Sequence, residues 1–211
     1  MPITFYDFTP APSPRRARIL LAEKGIEVEN KQIDMMQGEQ LSDEYKKINP
    51  SCTIPALQLE DGTILTDNSG IAAWADAYKP ENPILGSTPS EKGLVASWNA
   101  RIEFEGLMAV AEILRNTSKG MQGRAMTGPL NLEQIPALAE RGKKRLPLFY
   151  DMLNERLEGR DFIAIDTLSV ADITALVCVD FGAWVKITPT DAHTNLNRWH
   201  AAMSARPSAK A

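Results

Sequence analysis

The amino-acid sequence predicts an α/β domain over residues 1–80, a short linker, and an all-helical bundle over residues 88–211. Three observations carry this. Short β-branched and aromatic segments alternate with segments of helical spacing through the first 80 residues. Residues 79–87 then hold two prolines and a glycine, the composition of a linker. Beyond the linker the apolar residues keep helical spacing. At 211 residues the chain is long enough to bury a real core, in one large domain or two small ones.

Residues 3–8 read as a strand. Ser13-Pro14 opens a helix, with serine as N-cap and proline as first helical residue. Ala17, Leu20 and Leu21 form its apolar stripe at i, i+3, i+4, and Gly25 stops it. Residues 28–33 form a second strand and residues 41–48 a short polar helix. Residues 53–59 are a strand entered through Pro55. Glu60-Asp61-Gly62-Thr63 turns the chain, and residues 64–66 return as the last strand. Asp67-Asn68 caps a helix over residues 69–78, which gives the order β-α-β-α-β-β-α.

In the second domain Thr88-Pro89-Ser90-Glu91 is a capping box with proline at the first helical position. Leu94, Val95, Trp98, Ile102, Leu107, Met108, Ala111 and Leu114 continue the helical pattern. A second long helix spans about residues 136–157, where Gly142 and Pro147 predict a kink or break. Ser169-Val170-Ala171-Asp172 caps a third, very apolar helix reaching about Ile187. Losing this cap through Asp172→Ala is expected to cost about 1 kcal/mol or more while sparing the ligand affinity of the folded protein.

Composition narrows the function. A net charge of −4 and a pI near 5.3 give no general attraction to nucleic acid or anionic membrane. The most apolar run, residues 175–185, is interrupted by Asp180, so no membrane span is expected. The N-terminus lacks the apolar core of a secretory signal, which points to the cytoplasm. There Cys52 and Cys178 need not pair. No Cys-x-x-Cys pair supports a redox role for Cys52, and Cys178 lies in an apolar helix as a core residue. His193 and His200 lack a third ligand at suitable spacing, so no metal is expected.

Four pieces together resemble one family. They are the first-helix segment Pro12-Ser13-Pro14-Arg15-Arg16-Ala17 through Gly25, the run Asn49-Pro50 to Thr53-Ile54-Pro55-Ala56-Leu57, the capped Ser169-Val170-Ala171-Asp172, and the closing Arg206-Pro207-Ser208. Over nearly its whole length the chain resembles the cytosolic glutathione transferases, and is most similar to their atypical yeast-type branch and its bacterial relatives. The resemblance implies a thioredoxin-like N-terminal domain that binds glutathione as co-substrate, an all-helical acceptor-substrate domain, and a homodimer.

It also implies a site. Ile54, between Thr53 and a cis-Pro55, presents its backbone N–H and C=O to the cysteinyl part of glutathione, as an added strand does; the alternative is an ordinary edge-strand proline. Asp67 and Asn68 stand where relatives carry Glu-Ser, at a helix mouth suited to the γ-glutamyl group; the alternative is a plain cap. Gln37 and Gln40 stand where relatives carry cations toward the glycine carboxylate, and a neutral amide bonds it roughly half as strongly.

Glutathione must react as its thiolate. The residues at the family's usual activator positions, Asp7, Ala11 and Pro12, offer no donor, and Tyr6 belongs to the opposite strand face. Ser13 remains, as thiol activator or as structural cap, along with the backbone N–H groups of Arg15 and Arg16 at the helix terminus. Those two cations oppose the helix dipole, offset either by solvent or by a nearby anion. Met108, Glu112 and Arg115 share one helix face that relatives use to wall the acceptor pocket; otherwise Met108 is core and the rest a solvated helix end. The activity implied is conjugation of glutathione to a small electrophilic, apolar or aromatic acceptor. Ether cleavage, dehalogenation or peroxide reduction on the same scaffold, and a non-enzymatic ligand-binding or assembly role, remain alternatives.

Overall fold

The computed structural model describes residues 1–211 and divides into two compact units. One comprises Met1–Asn82 with Met126–Asn131 and Ala211, the other Pro83–Ala125 with Leu132–Lys210. No helix is long and apolar enough to cross a membrane.

The first unit is built on a four-stranded sheet of β1 (Thr4–Asp7), β2 (Glu29–Gln32), β3 (Ala56–Gln58) and β4 (Ile64–Leu65), in the order β2-β1-β3-β4. β1 runs parallel to β2 and antiparallel to β3, which pairs antiparallel with β4. The parallel pair follows from the crossover through α1 (Pro12–Glu23), and the antiparallel pair from the tight turn at Gly62. α2 (Asp43–Lys46) and α3 (Asn68–Tyr78) complete the expected order. Tyr6, Ile33, Tyr45, Ile54 and Ala56 form one buried cluster, against which Phe8, Ala11 and Met35 pack. Lys24, at the end of α1, is buried and donates to Asp76 Oδ1 and to the carbonyls of Glu81 and Asn82 at 3.0–3.1 Å, so all three ammonium protons are used.

The start of α1 differs from expectation. Pro12 is its first residue and Ala11 its N-cap, so Ser13 lies inside the first turn and Pro14 at the third position. Two prolines flank Ser13, and the earlier one, whose φ already suits a helix, sets the boundary.

In the second unit α4 (Pro89–Arg101) opens with the Thr88–Glu91 capping box and passes without a break into a π-helical stretch, Ile102–Leu107, and then α5 (Met108–Thr117). At Gly106 in that stretch an added Cβ would stand 2.6 Å from the Phe149 ring and 2.7 Å from Cys178 Sγ, so glycine permits this close approach. α6 (Pro136–Arg156) is continuous, so of the expected kink or break the break does not occur. Gly142 serves packing, since a Cβ there would lie 2.6 Å from the Ala109 carbonyl. Pro147 lies on the exposed face of the helix.

α7 (Val170–Gly182) is buried almost all round and ends in a 3-10 turn at Ala183–Val185, short of Ile187, because Lys186 adopts a positive φ. The buried Asp172 accepts from Ile163 N and Trp199 Nε1 on one oxygen, and from Ser169 N and Oγ on the other. Burial pushes its pKa up, against the pull of those bonds. α8 (Thr194–Ser204), which the sequence pattern did not delimit, buries Leu196, Trp199 and Met203. Cys178 is core, and Cys52 is a buried loop residue with φ 53°.

Candidate functional site

Three backbone features of the first unit meet at the C-terminal end of β1. The first is the loop before β3, where the Ile54–Pro55 peptide is cis. Thr53 is anchored from behind: its carbonyl accepts from Tyr45 Oη and Asn49 Nδ2, each at 2.8 Å, and its hydroxyl accepts from Asn49 Nδ2 at 2.9 Å. The Ile54 side chain is held in the core cluster beside Ala11, while no backbone partner takes up its N–H or C=O. That is a one-residue strand edge, open to an extended ligand. Sequence reading missed Tyr45 and Asn49 as positioning residues. An asparagine before a loop proline was the available signal.

The second feature is the mouth of α3. Asp67 is its N-cap, and Asp67 Oδ1 accepts from Gly70 N at 2.8 Å. The N–H groups of Asn68 and Ser69 precede any intrahelical acceptor and point outward with the positive end of the dipole. The third is the mouth of α1. Pro12 and Pro14 have no N–H, so the unbonded first-turn donor belongs to Ser13. The N–H groups of Arg15 and Arg16 fall at the fourth and fifth helical positions, aimed at the carbonyls of Ala11 and Pro12. Neither arginine lacks a partner in the fold.

One contact joins the two helix mouths: Asn68 Nδ2 donates to Ser13 Oγ at 3.1 Å. The remaining amide atom, Asn68 Oδ1, is buried with no hydrogen-bond partner. A second such atom is Gln40 Oε1, in the 3-10 turn Glu39–Leu41. Buried polar atoms are nearly always satisfied, so two orphans among the predicted contact residues call for partners from outside the chain. Gln37 is exposed on the turn before, its N–H held by Asp34 Oδ1 at 3.2 Å. Asp7 and Tyr6 stay out of this site. Asp7 is fully buried, paired with Arg18 at 2.6 Å and bonded by Asn30 and Gln32, and Tyr6 donates to Gln58.

Met108, Glu112 and Arg115 lie on α5 in the second unit. Met108 is about half exposed and so is not core, and Glu112 is not a solvated helix end. The Glu112 carboxylate is buried between Arg141 and Arg145 of α6, which turns it away from the pocket role expected of it. The Arg115 carbonyl accepts from Gln134 Nε2, which also reaches the Ser118 carbonyl, and Asn116 Oδ1 accepts from Ile135 N. These bonds tie the loop after α5 to the end of that helix. No group of three or more His, Cys, Asp or Glu is arranged to hold a metal.

Comparison with known proteins gives two family-model matches. Residues 11–77 match the glutathione S-transferase N-terminal domain and residues 108–207 the glutathione S-transferase C-terminal domain. Glutathione S-transferase 2 of Saccharomyces cerevisiae is 33% identical over 97% of this chain and 87% of its own. The crystal structure of Gtt2 from the same yeast covers 98% of both chains at 32% identity, with a TM-score of 0.88. A glutathione S-transferase domain-containing protein from Marinobacter aquaeolei reaches a TM-score of 0.89 at 32% identity, over 97% of this chain and 98% of its own.

Proposed function

This chain belongs to the glutathione S-transferase family, and on that premise we propose that it conjugates glutathione to a small electrophilic acceptor that is apolar or aromatic. The observation that carries the site is the Ser13–Asn68 contact with its buried, unpartnered amide oxygen. In this reading Asp67 and Asn68 Oδ1 receive the γ-glutamyl ammonium, and the open N–H groups at the mouth of α3 receive its carboxylate. The backbone of Ile54, set by Thr53 and Pro55, pairs with the cysteinyl peptide. Gln37 and Gln40 hold the glycine carboxylate through neutral amides. Rotated by half a turn about its last bond, the Gln40 amide presents its NH2 where its oxygen now has no partner.

Ser13 activates the thiol. Its oxygen already accepts from Asn68, so its proton is free to donate to sulfur. Its own N–H and the α1 dipole add positive potential, a part that falls to Ser13 rather than to the intrahelical N–H groups of Arg15 and Arg16. The thiol proton leaves to solvent. The thiolate forms the new sulfur–carbon bond as the acceptor's leaving group departs with its electron pair. Met108 supplies apolar wall for the acceptor. The protein acts as a cytoplasmic homodimer, without metal, nucleic acid or membrane.

Calorimetry with millimolar glutathione, followed by thiol consumption over a panel of electrophiles, tests this. Binding with turnover supports conjugation. Binding without turnover favours a ligand carrier, and neither result leaves the assembly-module reading in its place.

A further inference from the structure

Of the three α5 residues expected to face the acceptor, Arg115 is the one whose charge the second unit leaves unanswered. The nearest acid on its own helix, Glu112, stands one turn away at i−3 but is held by Arg141 and Arg145. The Arg115 guanidinium makes no hydrogen bond or ion pair; only its carbonyl is engaged, by Gln134. It is partly buried yet not sealed, since none of its nitrogens is among the buried, unpartnered atoms. Burial first, and second the charge of Arg124 in the loop after α5, which has partners of its own in the fold, lower its pKa. A half-buried guanidinium without a partner, whose neighbouring carboxylate is held by two other arginines, leaves a site that favours an anion. Exposed apolar side chains lie near the same end of the helix. Met108 lies two turns back on the same face, and Ile135, whose N–H is tied to Asn116, is exposed beside the end of the helix.

We propose that Arg115, assisted by Arg124, binds the carboxylate of an amphipathic acceptor, so that the preferred substrates are aryl or other apolar carboxylates rather than neutral electrophiles. This rests on the transferase reading for its place in the reaction, whereas the binding can be measured without it. The cation at the end of α5 also suits the helix dipole, but that role is met by an exposed side chain and needs neither burial nor a second arginine.

The test is equilibrium binding, without glutathione, of 4-chloro-3-nitrobenzoate and of its neutral carboxamide. The wild-type protein should bind the benzoate roughly tenfold tighter than the amide, as a charge-assisted bond predicts. Rising salt should shrink that preference. Arg115→Gln should abolish it and Arg115→Lys should restore part of it. Arg124→Gln, which leaves Arg115 in place, should weaken it. Equal affinity for the two probes, no detectable benzoate binding, or an Arg115→Gln protein with unchanged preference overturns the proposal. Turnover of 1-chloro-2,4-dinitrobenzene by the wild-type protein reads the transferase activity separately, so either idea can fail without the other.

Discussion

Asn68 Nδ2 donates to Ser13 Oγ at 3.1 Å, linking the first turns of two helices 55 residues apart in sequence. The contact assigns the roles of both groups. Ser13 is left with a proton to give, and Asn68 with an oxygen that has nothing to receive. Ser13→Ala is therefore expected to lower kcat by roughly 10- to 100-fold, with KM for glutathione changing far less. Asn68→Ala should instead raise that KM by roughly tenfold, the cost of one charge-assisted bond. Because the residues touch, the double variant should fall short of the product of the single effects. If Ser13→Ala lowers only the melting temperature, the hydroxyl is structural.

Asn49 sets the loop that carries Ile54. It is buried, and its amide bonds both the carbonyl and the hydroxyl of Thr53, while its own oxygen accepts from Ser51 N. Asn49→Ala removes all three bonds and is expected to destabilise the protein by about 2 kcal/mol. It should also weaken glutathione binding, although Asn49 is not proposed to contact the ligand. Tyr45→Phe removes only one bond to the same carbonyl, so its effect on both quantities should be smaller. Chemical denaturation and calorimetry on the two variants give the comparison, and intact affinity in a destabilised Asn49→Ala protein would separate the loop from the site.

How much of this was readable in the sequence depended on how local the cause was. The cap at Thr88–Glu91 is contained in four residues and was placed correctly. The mouth of α1 has two prolines competing for one helix start, and only the folded chain shows which sets it. The burial of Glu112 depends on partners 29 and 33 residues away, so helical spacing could assign its face but not its use. The π-helical stretch at Ile102–Leu107 accompanies the close approach of Gly106 to Phe149 and Cys178, a tertiary contact that no periodicity records. The helix start at Asp67 was legible because a cap is contained in a few residues, whereas the roles given to Ile54 and Asn68 came from the family resemblance and not from local chemistry.

Gly142 and Pro147 carried the same sequence signal and should respond in opposite ways. A methyl at Gly142 would meet the Ala109 carbonyl at 2.6 Å and Ile113 Cγ1 at 2.8 Å, and backbone cannot step aside cheaply. Gly142→Ala is expected to cost about 2–3 kcal/mol despite alanine's better helix propensity. Pro147→Ala, on the exposed face, restores a helical N–H and should raise stability by about 1 kcal/mol or more. Denaturant midpoints decide it; a stabilised Gly142→Ala protein would mean that α5 and α6 can move apart at no cost.

Asp172 shows how far burial changes the cost of removing a cap. Cap chemistry alone sets the cost of its loss at about 1 kcal/mol or more. In the fold it is fully buried and accepts four bonds, from Ile163 N, Ser169 N, Ser169 Oγ and Trp199 Nε1. Asp172→Ala leaves those four donors in a dry interior with no acceptor, so the expected loss is about 3–5 kcal/mol. For a chain of this size that lowers Tm by roughly 10 °C. Asp172→Asn keeps one acceptor but turns an NH2 toward two of the donors, and should fall between the wild-type protein and Asp172→Ala. All four donors belong to the second unit, so protein that does fold should bind glutathione with unchanged affinity. A Tm shift of only a few degrees in Asp172→Ala would show that water enters and takes up the four bonds.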